Sequence, residues 1–193
     1  MKVYDLKGSL RKELGKKATK ATRADESVPC VLYGGAENVH FSASAADLRK
    51  LIYSPDVFVV NLDVEGKTCK AIMKDLQFHP VSDKVLHIDF LEVSENKPVV
   101  VEIPVQLNGL AEGVKAGGKL ALEMRKLRVK GLYANFPEKI IIDVTSLGLG
   151  KSIQVGALKF ENFEILNAKN AVVAQVKLTR AARGAAAAAA SKK

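Results

Sequence analysis

The sequence predicts a mainly β protein with two domains: an N-terminal six-stranded β-barrel with short helices, and a C-terminal all-β domain. Short apolar runs rich in valine and isoleucine recur along the chain, separated by glycine, proline, asparagine and aspartate. This is the pattern of β-strands joined by turns. A polar segment with a proline, SENKP at 94–98, breaks the pattern near the middle, as is typical of a domain boundary.

Six strands are expected in the first domain, 1–93. They are predicted at 2–10, 28–35, 38–43, 57–64, 68–78 and 84–93. The fourth and fifth form a hairpin whose turn is expected at Glu65, Gly66 and Lys67. So many strands in so short a segment favour a closed or nearly closed barrel.

Two helical segments interrupt these strands. The basic segment 11–27, RKELGKKATKATRADES, has few β-branched or aromatic residues, so an exposed loop with about two helical turns near 18–25 is expected. A second helix begins after Ser44, which together with Asp47 approximates a capping box. Its buried stripe is predicted to comprise Leu48, Leu51 and Ile52.

The second domain, 94–179, is also predicted to be all-β. Its strands are expected at 99–107, 119–132, 139–144, 151–155 and 171–178. The remaining residues, 180–193, include a run of six alanines. Alanine favours helix, but so short a run does not offset the cost of helix nucleation, so a disordered tail is expected.

The charge distribution points to a polyanionic partner. The net charge is +9, of which Lys7–Arg23 contribute +6 and residues 177–193 contribute +5, so the body between them is nearly neutral. Basic segments concentrated on a neutral body are typical of nucleic-acid binding. No apolar run is long enough to span a membrane and the N-terminus lacks a secretory signal, so a cytoplasmic protein is expected.

No motif in the sequence indicates catalysis or a bound metal. Cys30 and Cys69 lie alone in apolar runs and are expected to be small buried hydrophobes of a reduced protein. His79 and His87 lie near Asp89, but the third histidine, His40, is in a distant strand, and a catalytic zinc site needs about three protein ligands. HExxH, CxxC, GxSxG and phosphate-binding glycine motifs are absent, so no catalytic residue, metal or cofactor is predicted.

His87 and Asp89 are two residues apart, so they project from the same face of their predicted strand. Val85 and Leu91 share that face by parity, whereas Leu86, Ile88 and Phe90 are predicted to face the core. The polar pair would then lie outside the barrel, either as a solvated strand face or as contacts to RNA base edges. A carboxylate repels phosphate but accepts hydrogen bonds from base amino groups.

Several segments, in this order, carry a family resemblance. The basic segment through YGG at 11–35, LQFHP at 76–80 and LHIDF at 86–90 resemble the L-twenty-five family of bacterial ribosomal proteins, which bind 5S ribosomal RNA. AEGVKAGGKL at 111–120 and IIIDVTSLGLGKSIQVGAL at 140–158 resemble the extra domain of the family's long form, the CTC general stress proteins. The resemblance covers nearly the whole chain.

This resemblance implies a structural protein of the large ribosomal subunit whose barrel packs against the loop E region of 5S ribosomal RNA. The RNA-binding residues that it implies are Arg11, Lys16, Thr19, Lys20, Arg23, Tyr33, Lys74, Gln77, His87 and Asp89. Lys20 replaces an arginine of some relatives and Lys74 a glutamine of the short form. A lysine keeps the attraction to phosphate but loses bidentate contacts or base readout at those positions. The partner of the C-terminal domain is left open between 23S ribosomal RNA and neighbouring ribosomal proteins.

Two other functions stay open from the residues alone. The barrel type is similar to the anticodon-binding domain of some transfer RNA synthetases, which would make this chain a trans-acting binding module for transfer RNA. A small hydrolase using His79, His87 and Asp89 is the alternative from a different class. The length of any bound RNA distinguishes the three hypotheses.

Overall fold

The chain divides into two compact units. The computed structural model describes residues 1–35 and 37–180. The first unit comprises Met1–Val99 with Leu132–Phe136, and the second comprises Val100–Gly131 with the chain from Pro137 onward. Within the described residues, no helix is both long enough and apolar enough to cross a membrane.

The first unit contains a closed six-stranded barrel, which confirms the prediction. Its strands are β1 (Lys2–Leu10), β2 (Ser27–Tyr33), β3 (Val39–Ser44), β4 (Phe58–Val64), β5 (Lys67–Phe78) and β6 (Val85–Glu92). Around the barrel they follow the order β1-β3-β2-β6-β5-β4. The β1–β4 and β2–β6 pairs are parallel, and the other neighbours are antiparallel. Helix α1 (Lys16–Ala24) connects β1 to β2, and helix α2 (Ala45–Ile52) connects β3 to β4.

The barrel interior is apolar and tightly filled. Phe41 of β3 and Phe90 of β6 are fully buried, with their ring centroids 5.7 Å apart. Ile88, two residues before Phe90, is also fully buried and extends the inward face of β6. From His87 to Phe90, the strand period of two therefore separates the core side chains of β6 from those outside.

Helix α2 packs onto the same core. Leu48 and Leu51 are buried as predicted, whereas Ile52 is only partly buried. Ser44 caps the helix, but its hydroxyl accepts from the amide of Ala46 at 3.3 Å instead of the amide one residue further on that a capping box uses.

The β4–β5 hairpin turns over two residues. Glu65 and Gly66 both have positive φ values, 50° and 86°, as a type I′ turn requires. Lys67, predicted to lie in the turn, pairs with Val64 and is the first residue of β5. Such a turn follows the right-handed twist of the two strands, so the hairpin closes without a longer loop.

Two β-bulges shift the register between β5 and β6. The extra residues are Lys74, between the pairs Met73–Phe90 and Asp75–Asp89, and Leu86, between the pairs Gln77–His87 and Phe78–Val85. Each inserted residue reverses the inward and outward alternation beyond it. The prediction for Val85 is therefore wrong: Val85 packs against the core, and Leu86 occupies the bulge.

The described part of the second unit is built from two small sheets, in the strand orders β10-β7-β9-β12 and β11-β13-β8. Its strands are β7 (Val99–Asn108), β8 (Lys119–Leu122), β9 (Lys126–Gly131), β10 (Ile140–Asp143), β11 (Ser152–Gln154), β12 (Glu164–Ile165) and β13 (Val172–Lys177). A short helix, α3 (Glu112–Lys115), and β12 lie where the sequence predicts no element.

The predicted strand 119–132 is two strands, β8 and β9, which belong to different sheets. The chain leaves one sheet at Glu123–Arg125. The alternation changes phase there, because Arg125 and Lys126 are consecutive polar residues, and this change of phase marks the break that the single predicted strand overlooks. The predicted tail lies outside the described residues, apart from its first residue, Arg180.

Both cysteines are free. Cys30 is fully buried in the barrel, and burial raises the pKa of its thiol to about 12. A thiol with so high a pKa stays protonated at neutral pH and behaves as a small hydrophobe, as predicted. Cys69 is only half-buried, although burial and the charge of Glu92 also raise its pKa.

Candidate RNA-binding surface

Helix α1 presents a basic face to solvent. Lys16, Lys20 and Arg23 are spaced four and three residues apart, so their side chains emerge on the same side of the helix. The helix packs against β2. Across residues 1–35 and 37–180, no hydrogen bond or ion pair engages the ammonium groups of Lys16, Lys17 or Lys20. These three groups are accordingly available to phosphates.

Two arginines connect α1 to the barrel. Arg11, which follows β1, donates from Nη2 to the Thr19 hydroxyl at 3.0 Å. Arg23 donates from Nε and Nη2 to the carbonyl oxygen of Leu86, at 3.1 and 2.8 Å. The arginines of the basic segment are thus bonded to the protein itself, whereas Lys16, Lys17 and Lys20 are exposed and make no such bond within the described residues.

A second group of predicted residues lies on the outer face of three adjacent strands, β2, β6 and β5. Gln77 is directly opposite His87 in the β5–β6 register. Asp89 lies beside Val31 of β2, two residues before Tyr33 on the same face of that strand. The fold therefore places Tyr33, Gln77, His87 and Asp89 on one surface, called here the polar patch.

His87 and Asp89 form a hydrogen-bonded pair. The distance from His87 Nδ1 to Asp89 Oδ1 is 2.7 Å, and the two side chains are 27% and 32% exposed. A histidine tautomer with its proton on Nδ1 donates to this carboxylate and leaves Nε2 as an acceptor. The second carboxylate oxygen is also an acceptor. The pair can therefore receive hydrogen bonds from base amino groups and from ribose hydroxyls.

Tyr33 contributes a hydroxyl to the polar patch. Burial and then the negative charges of Asp89 and Asp75 raise the pKa of its phenol. The hydroxyl consequently stays protonated at neutral pH and can donate to a phosphate or ribose oxygen.

Comparison with known proteins places the chain in a family. It is 61% identical to large ribosomal subunit protein bL25 of Azobacteroides pseudotrichonymphae, over 95% of this chain and 97% of that protein. The protein of the same name from Porphyromonas gingivalis is 61% identical over 96% of this chain and 98% of its own length. This chain belongs to the Ribosomal L25p family. The model of that family matches residues 6–90, and a second model, Ribosomal protein TL5, C-terminal domain, matches 98–180.

Asp75 also lies at the polar patch, where the sequence alone does not place it. It lies directly opposite Asp89 in the β5–β6 register, and its charge contributes to the raised pKa of Tyr33. Uninterrupted alternation would place Lys74, not Asp75, on the outer face with Ile72 and Leu76. The bulge at Lys74 reverses this phase, so no periodicity in the sequence could have identified Asp75.

The predicted L25p residues do not all lie in one cluster. Lys74 is the bulge residue of β5, between the polar patch and the rest of the strand. His79 lies in the β5–β6 turn, where its Nδ1 accepts from the amides of Val81 and Ser82 at 3.3 and 3.2 Å. His79 therefore stabilises a turn, whereas His87 is paired with Asp89.

Metal-binding side chains are not gathered at one place in the described part of the chain. Over the described ranges 1–35 and 37–180, no group of three or more histidine, cysteine, aspartate and glutamate side chains is arranged to hold a metal ion. Asp75 and Asp89 are adjacent, but a pair of carboxylates falls short of the ligand number of a protein metal site.

Proposed function

We propose that this chain is a structural component of the large ribosomal subunit and binds 5S ribosomal RNA through α1 and the polar patch. The observation that carries the proposal is the bond of Arg23 to Leu86, which brings a helix with three solvent-facing lysines beside the His87–Asp89 pair. The surface thus combines cations for phosphates with acceptors for base edges. Membership of the Ribosomal L25p family supports the same function.

The two groups of residues would contribute differently to binding. Lysines neutralise phosphates and release counterions, so their contribution depends strongly on salt and little on sequence. The polar patch would contact base edges and ribose hydroxyls, which A-form RNA exposes in its wide, shallow minor groove. The residues proposed to form the surface are Arg11, Lys16, Thr19, Lys20, Arg23, Tyr33, Lys74, Gln77, His87 and Asp89.

We propose no catalytic role for these residues and no metal or cofactor requirement for binding. His87 and Asp89 serve as hydrogen-bonding groups on a strand face, and the family is one of ribosomal proteins. The proposed location is the ribosome, in the cytoplasm.

RNA captured from cells tests this function. The tagged full chain is expected to retain one dominant RNA of 5S length, because base-edge contacts favour one RNA over the many that share its phosphates. Sequencing identifies the RNA, and its length is measured on a denaturing gel. A dominant species of transfer RNA length would instead support an anticodon-binding-like module, and no retained RNA would contradict both.

We also propose that residues 1–93 form an independent RNA-binding domain and that 94–179 contact another component of the large subunit. The amide of Val93 donates to the Lys70 carbonyl at 2.9 Å, so the barrel needs the chain up to that point. Beyond that point, Lys70 Nζ donates to the Tyr133 hydroxyl, and this hydroxyl donates to Glu95 Oε1. Both hydrogen bonds are exposed and 3.3 Å long. Exposed contacts of this kind contribute about 1 kcal/mol or less.

A fragment of residues 1–94 is accordingly expected to fold and to bind 5S RNA within about threefold of the full chain, since all proposed contacts precede residue 90. Circular dichroism and thermal unfolding measure its folding, and titration with 5S RNA measures its affinity. An unfolded fragment would disprove the boundary at 93, and a folded fragment that does not bind would disprove the site.

A further inference from the structure

Helix α1 has little in its own sequence to hold it in place. It is nine residues long, none of its residues is fully buried, Gly15 provides no side-chain cap, and its first turn contains no acid. Lys16 and Lys20 repel each other across one turn, and lysines at the N-terminus oppose the helix dipole. Since an isolated helix of this length is marginal in water, its position depends on contacts with the barrel.

Arg23 makes the contact that fixes the C-terminal end of α1. Its Nε and Nη2 converge on the carbonyl oxygen of Leu86 at 3.1 and 2.8 Å. Leu86 is the bulge residue of β6, and a bulge leaves its extra residue outside the ladder, so this carbonyl is open to another donor. Two donors of a rigid planar group on one acceptor also fix the direction of the side chain.

This contact connects the two halves of the proposed surface. Leu86 immediately precedes His87, which is paired with Asp89. The Arg23 guanidinium therefore sets the distance between the polar patch and the lysines of α1. Arg11 provides a comparable connection earlier in the helix, through the Thr19 hydroxyl.

We propose that Arg23 is a positioning residue: it holds α1 against the β6 bulge so that the lysines and the polar patch engage one RNA together. The inference rests on the proposed function. It assigns phosphate binding in α1 to Lys16, Lys17 and Lys20, and it removes Arg23 from the set of direct phosphate contacts that the family resemblance implies. A phosphate contact and a positioning contact differ in their dependence on salt.

The experiment compares Arg23→Ala with Lys20→Ala in the full chain. Both substitutions remove one positive charge from an exposed position of the same helix, and alanine favours helix in both. Each variant is titrated with 5S RNA and with a non-cognate hairpin between 50 and 200 mM salt. Hydrogen exchange of the α1 amides is measured on the free proteins, with the β-strand amides as an internal control for folding.

Lys20→Ala is expected to weaken binding to both RNAs. It should also lower the slope of log affinity against log salt concentration by about 0.7 to 0.9, the value of one phosphate contact. Arg23→Ala is expected to weaken 5S RNA binding about tenfold, to leave hairpin binding within about twofold, and to leave the salt slope unchanged. The α1 amides of Arg23→Ala should exchange at least about tenfold faster than those of Lys20→Ala, because the helix opens locally.

Two results would overturn the inference. One is an Arg23→Ala variant whose salt slope and hairpin affinity fall as they do for Lys20→Ala, and the other is unchanged exchange of the α1 amides. If the wild-type chain does not bind 5S RNA, the proposed function fails. The exchange measurement still decides whether Arg23 holds the helix.

Discussion

Replacing Lys16 and Lys20 with glutamate is expected to weaken 5S RNA binding by about a hundredfold or more near physiological salt. Each lysine lost removes one released counterion, and each glutamate gained adds repulsion from the same phosphate. The fold should be unaffected, because both side chains are exposed and the described residues offer their ammonium groups no hydrogen-bond or ion-pair partner. Affinity is measured by titration between 50 and 200 mM salt.

A matched control carries the same charge change elsewhere. Lys50→Glu combined with Lys159→Glu alters two exposed lysines outside the proposed surface, one in each unit. This control should lose no more than about threefold in affinity, since its charges are not in contact with phosphate and are largely screened. Equal losses in the two double variants would mean that only net charge matters and that α1 is not the binding site.

Substitutions in the polar patch should weaken binding to 5S RNA without weakening binding to other RNAs. Asp89→Asn is expected to weaken 5S RNA binding by about 1–3 kcal/mol, the worth of a good base contact. The substitution removes a carboxylate acceptor, which lies 2.7 Å from His87 Nδ1, and introduces an amide donor. It also makes the surface more positive, so binding to a non-cognate hairpin should stay level or increase slightly. His87→Ala should show the same selective loss.

The control for Asp89→Asn is Glu138→Gln, which removes one negative charge from an exposed position outside the patch. The free energy of unfolding of Asp89→Asn should change by no more than about 1 kcal/mol, because the relief of repulsion from Asp75 offsets a weaker hydrogen bond from His87. Equal effects of Asp89→Asn on binding to 5S RNA and to the hairpin would mean that His87 and Asp89 lie on a solvated strand face and do not recognise RNA. Tighter binding to both RNAs would show that electrostatics alone governs this face.

Much of the barrel could be predicted because its strands are local patterns. The predicted strand 2–10 coincides with β1 at Lys2–Leu10, and alternation alone places Ile88 and Phe90 in the core. The basic segment was also evident, since clustered lysines and arginines need no fold to be recognised. Helix α1 begins at Lys16, before the predicted start near residue 18. Its extent depends on contacts with the barrel, and the sequence of the helix itself does not reveal these contacts.

The sequence by itself therefore determined the mainly β class, the strand positions of the barrel, the basic segment and the candidate residues of the polar patch. Tertiary structure alone decided which residues share a surface. The bulges at Lys74 and Leu86 reverse the strand phase, so Asp75 joins Asp89 outside and Val85 turns inside. The Leu86 carbonyl binds the Arg23 side chain, 63 residues away in the chain. Bulges and contacts over such separations depend on which strands are neighbours, and no local periodicity records that choice.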